Sequence, residues 1–160
     1  MKGSISATGI GHVRTMFRNL GRKVPDQARG QMRRASRRIV EQAQINVPED
    51  EALLRDSIRI ERTTGFRGRL QIDIVVGGQV VTNARGKQID LDRYALLVHE
   101  AYETAVATKG PGKRTREKML QYPQATIGSK FLERAVDKER ARLQRNMTTI
   151  IDQIIEREQR

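Results

Sequence analysis

The strongest constraint on this chain is a persistent apolar side along residues 129–158. Leu132, Val136, Leu143, Met147, Ile150, Ile151, Ile154 and Ile155 recur there at helical steps. At about 1.5 Å per residue such a helix spans roughly 40 Å, longer than a small core needs. Its distal half, TTIIDQII, should therefore pair with another long helix or leave a face for a neighbouring subunit. Pro25 and Asp26 open the other long helix, expected to run to Asn46. Ala28, Met32, Ala35, Ile39 and Ala43 form its narrow stripe, while Arg29, Arg33, Arg34, Arg37 and Arg38 occupy much of the rest. Pro48 ends it, because the residue before a proline is pushed out of the α region.

Between the two helices the period changes. Ser57–Arg62 and Leu70–Val76 alternate apolar and polar residues, which predicts an antiparallel hairpin turning between Gly65 and Gly68 and ending at Gly77-Gly78. A third short strand is expected over Val80–Thr82. Residues 90–103, DLDRYALLVHEAYE, read as a short helix capped by Asp92, with Tyr94, Ala95, Leu97 and Val98 inward, although a strand also fits. Residues 1–24 are rich in glycine and small polar residues and read as an extended arm, with a helical turn over Val13–Leu20 as an option. Residues 104–129, with Gly110-Pro111-Gly112 and Tyr122-Pro123, read as a long basic loop that orders on assembly. The expected fold class is α+β: a small antiparallel sheet packed against two longer helices, with an extended N-terminal arm (1–24) outside one domain (25–160).

Charge is uneven along this scheme. The formal net charge is +12, and residues 1–48 hold ten Lys or Arg against Asp26 and Glu41. A second basic block, including Lys113, Arg114 and Arg116, sits in the late loop. With 37% hydrophobic residues and no Trp, a solitary globule of this composition is marginal, and a subunit that buries surface against neighbours fits better. The residues expected at such interfaces are Arg29, Arg33, Arg34, Arg37, Arg38, Lys113, Arg114, Arg116, Ile151 and Ile154. Asp at Ile151 and Ile154 is expected to impair assembly before it unfolds the core. No apolar run near Lys2 suits a signal peptide, and no segment approaches about 18 apolar residues, so a soluble protein kept inside the cell, off the membrane, is expected.

Chemistry is sparse. Cys is absent, and the two histidines, His12 and His99, have no metal-binding spacing. Asp90, Asp92, Glu100 and Glu103 are the densest acidic set, read as caps and arginine partners more readily than as a magnesium site. The glycines of TTGFRGRL and VVGGQVV precede no helix and read as turn glycines, and Ser57 lacks a paired base. No catalytic residue, metal or cofactor is expected, and the chain is read as a non-enzyme.

In order and spacing, these segments resemble a family. The helix followed by AQINVPEDEALLRDSIRI, the hairpin, YALLVHEAYE and GSKFLERAVDKE are together similar to the tail-component, or tail-completion, proteins of tailed bacteriophages. Pro48, Leu54, Ser57 and Ile58 match the helix end and first strand. Tyr94, Ala95, Val98 and the His99-Glu100 pair match the family's Tyr-Ala…Val-Glu segment, and Phe131, Leu132 and Ala135 match the opening of its last helix. Three positions depart: the usual Gly before the Leu is Ala52 or Leu53, the Gly after the Glu is Ala101, and the Pro before Phe131 is Lys130.

The resemblance covers about residues 30–140 and implies a structural role in the virion neck. Such proteins join rings around the DNA channel, complete the tail and allow it to attach to a filled head. Implied partners are further copies, with six-fold symmetry favoured, and tail terminator, tail tube or connector proteins, with incidental contact to genomic DNA; assembly takes place in the host cytoplasm. Two other readings come from the residues themselves. One is a DNA-binding accessory protein using the Arg29–Arg38 face, and the other a metal-dependent hydrolase using Asp90, Asp92 and His99.

Overall fold

A computed structural model describes residues 10–49, 52–66 and 69–159. Along the chain it places helix α1 (Ile10–Asn46), helix α2 (Leu53–Ser57), strands β1 (Arg59–Phe66), β2 (Arg69–Val75), β3 (Val80–Thr82) and β4 (Gln88–Asp90), then helices α3 (Leu91–Val106), α4 (Lys113–Gln121) and α5 (Phe131–Gln159). The most extensive packing is between α1 and α5.

These two helices run antiparallel, because their cross-links descend in register. Asn46 Nδ2 donates to the Phe131 carbonyl at 3.3 Å, Lys138 Nζ reaches Gln42 Oε1 at 2.8 Å, and Arg38 Nε donates to Glu139 Oε1 at 3.0 Å. The core lies at the α1 C-terminal end of this pair. There Ala43 of α1 and Val47 just beyond its end meet Leu54, Ile58, Ala95, Val98, Phe131 and Ala135. Small residues at 35, 43 and 135 let the two backbones approach, so the narrow stripe read from the sequence is the helix–helix seam.

The expected fold class is corrected in three respects. First, the extended arm is absent among the described residues of that segment: Ile10–Val24 continue α1, and residues 1–9 lie outside the description. Pro25 stands inside the helix rather than at its start. It removes one backbone donor, toward Gly21, and the runs of helix-forming residues on either side carry the helix through it. Second, the long basic loop contains α4, a nine-residue helix. Third, the sheet is two separate hairpins, β1–β2 and β3–β4, rather than one sheet lying on two long helices.

Gly77 accounts for the division. Its φ of 87° turns the chain away from β2, and its amide donates to Ser57 Oγ at 3.0 Å. A Cβ there would overlap Asp92 Oδ1 and lie 3.1 Å from the Asp92 amide, so only glycine fits where the chain passes α3. In the β3–β4 turn, Asn83 Oδ1 accepts from the amides of Arg85 and Lys87. The turn expected at Gly65–Gly68 falls partly outside the described residues; β1 and β2 pair on both sides of it, with a bulge between Ile60 and Arg62.

Candidate interaction surfaces

α1 carries the arginine face, and the structure divides it. Arg38 is drawn inward to Glu139, across the helix seam. Arg29 pairs with Asp26 one turn away at 2.9 Å. Arg33, Arg34 and Arg37 are exposed and make no ion pair among the described residues, as are and do Arg18 and Arg22 further toward the N-terminus. Of the two isoleucines expected at an interface, Ile151 is half-buried, whereas Ile154 is only 8% exposed within the single chain. Ile154 is therefore spent on the chain's own packing. The antiparallel register carried outward along α1 brings it beside the turn containing Val24.

The second basic block sits on α4. Lys113 lies 3.9 Å from Glu117, Arg116 Nη1 donates to the Pro111 carbonyl, and Arg114 lines a cleft of about 640 Å³ between α4 and the end of α1. The residue that fastens this helix is Lys118, which sequence reasoning missed. Its ammonium is buried and donates to the Gln44 and Val47 carbonyls at 2.6 and 2.8 Å, with Glu49 Oε2 at 3.6 Å. α1 has no basic residue in its own last turn, so a lysine from a distant helix satisfies its C-terminal carbonyls. Desolvation pushes the Lys118 ammonium below its ordinary value, and Glu49 opposes that shift. Thr115 completes the junction by exchanging hydrogen bonds with the Glu49 backbone.

α3 exposes apolar surface. Leu91, Ala95 and Val98 turn inward, but Leu96 and Leu97 are 66% and 55% exposed, so the inward position expected for Leu97 is corrected. Leu97 borders a cleft of about 650 Å³ with Ile89, Tyr94, Arg85, Lys87 and Arg93. On α4, Leu120 is 83% exposed, and Tyr122 beside it lines the other cleft. The exposed leucines thus lie on two different helices, and Val80 on β3 is exposed as well, at 63%.

Asp90, Asp92 and His99 are occupied with structure. Asp90, and not Asp92, is the α3 N-cap, accepting from the amides of Asp92 and Arg93. Asp92 Oδ1 accepts from the Gly78 amide at 2.7 Å. His99 packs edge-on against Phe131, with ring centroids 5.1 Å apart, and its Nδ1 lies 2.8 Å from Glu100 Oε1. Glu100 is held below the usual carboxylate range, first by Lys130 and then by His99. Among the described residues no group of three or more acidic or histidine side chains is placed to hold a metal ion, and no helix is long and apolar enough to cross a membrane. Comparison with family models, with curated proteins and with solved structures finds no match to this chain.

Proposed function

We propose that this chain is a structural subunit of the neck of a tailed-phage virion. Copies assemble into a ring around the DNA channel, six-fold in the favoured form, and help complete the tail for joining to the head. The observation that supports the reading is the backbone at Ala52, which keeps a glycine's conformation where the family it resembles has Gly before Leu. In place of the family's Gly before Leu, Ala52 has φ 64° and ψ −6°, a left-handed conformation that suits glycine and strains alanine. In place of the Gly after the Glu, Ala101 leaves helical geometry inside α3, at φ −133° and ψ 20°. Lys130, in place of the Pro, has φ 54°, which a proline ring cannot adopt, so the entry to α5 is this chain's own. Ala52→Gly is expected to raise stability by about 1 kcal/mol, read as a higher urea midpoint; a lower midpoint would show that this position has no use for glycine.

Ring assembly needs two different surfaces on each copy, because a head-to-tail contact joins unlike patches. Leu96 and Leu97 on α3, and Leu120 on α4, supply two exposed apolar places of that kind. The test is the mass of the full chain by light scattering, alone and mixed with tail or connector proteins. A closed multimer is expected, reduced to monomer by either Leu97→Asp or Leu120→Asp with helicity unchanged. A chain that stays monomeric beside every such partner, or a multimer indifferent to both substitutions, contradicts the proposal.

A further inference from the structure

The outer face of α1 has a chemistry that its own fold leaves unused. Arg18, Arg22, Arg33 and Arg37 fall on one side of the helix, in the same row as the Arg29–Asp26 pair, with Arg34 beside them. From Arg18 to Arg37 the row runs about 29 Å at about 1.5 Å per residue. Its acids are few: Asp26 is engaged by Arg29, and Glu41 lies beyond its end. Five guanidinium groups therefore stand exposed without an ion pair among the described residues. Toward the C-terminal end Ser36 and Val40 turn under other elements, which closes the row at Arg37.

We infer that this row binds the phosphate backbone of duplex nucleic acid. An acidic protein surface is the competing occupant, and the composition of the face argues against it. Protein interfaces use arginine too, but around apolar or aromatic side chains that anchor their centre. From Gly21 to Asn46 no large apolar residue of α1 is exposed, whereas α3 and α4 both expose them. A phosphate backbone needs no such anchor. It offers one charge per about 3.4 Å of each strand, so a row of this length lies along roughly eight phosphates, enough for every guanidinium. Residues 18–37 contain no aromatic side chain, so nothing in the row stacks unpaired bases, and the duplex backbone is the form it suits. Recognition is by charge and carries no base sequence.

The inference does not rest on ring formation, and the two are read in different measurements. Anisotropy of a labelled duplex of about 20 base pairs, titrated with the full chain over a range of salt concentrations, tests it. Five phosphate contacts predict a log–log salt slope of about −4 to −5. The pair Arg33→Gln and Arg37→Gln, exposed changes to another good helix former, is expected to keep the circular dichroism spectrum and make the slope shallower by about 2. Lys113→Gln with Arg116→Gln on α4 is expected to leave the slope unchanged. Three results overturn the inference: no binding at low salt, equal loss of slope from both pairs, which reports general charge attraction, or competition by polyglutamate as strong as by unlabelled duplex, which assigns the row to an acidic protein.

Discussion

Phe131→Ala is expected to lower the unfolding free energy by about 3–5 kcal/mol. Phe131 is 1% exposed and is the largest of the fully buried side chains among the described residues. It is the first residue of α5, and it meets Ala43 of α1, Val47 just after that helix, Leu54, and Ala95 and Val98 of α3 in one cluster. Its carbonyl accepts from Asn46, and its ring receives the edge of His99. Removing the ring leaves a cavity at the point where three helices converge, and close-packed neighbours relax into such a space only in part. Urea unfolding followed by circular dichroism measures the loss as a midpoint shift. Leu132→Ala, at a half-buried neighbour, is expected to cost about 1–2 kcal/mol, scaled to its smaller buried area. A Phe131 loss no larger than the Leu132 loss would show that the core is centred elsewhere.

Ile154→Asp is the second large effect, and Ile151→Asp is its control. Aspartate at 154 gives up the apolar burial and puts a carboxylate at a position 8% exposed. Ile151 is half-buried and tolerates a charge at its edge. The difference between the two is expected to reach about 2 kcal/mol. It should appear as faster amide exchange in the outer turns of α1 and α5, because Ile154 lies far from the Phe131 cluster and that end of the pair can open locally. Equal effects from the two substitutions would place both side chains at an outer surface, as the sequence reading had them.

What the sequence made legible follows from how local each signal is. The end of α1 at Asn46, the β1–β2 pairing, β3, the α3 segment and α5 are all written in period, proline and glycine. Pro25 misled, because a proline at a helix start and a proline inside a helix carry the same local signature; which one holds is decided by residues on both sides. α4 was hidden by flanking glycine and proline. Lys118, which fastens it, is distinguished from Lys113 only by the distant carbonyls of Gln44 and Val47. The interface residues divided for the same reason. Arg38 and Arg37 are adjacent and identical in type, yet Arg38 faces Glu139 101 positions away while Arg37 faces outward. Ile154 and Leu97 exchanged their expected roles, one covered by the chain and the other left exposed, because a helical stripe states which residues share a side and not how far the partner helix extends.

The helix pair and its core close on themselves at the Phe131 end, while α3, α4 and the arginine row keep surfaces that the chain does not cover. In the proposed assembly role those surfaces meet neighbouring copies or partner proteins. Images of the purified chain mixed with tail or connector proteins test the proposal most directly. Class averages showing a closed ring, six copies around a central opening, are the predicted result. Isolated single chains in every mixture, at concentrations where the partners themselves assemble, would contradict it.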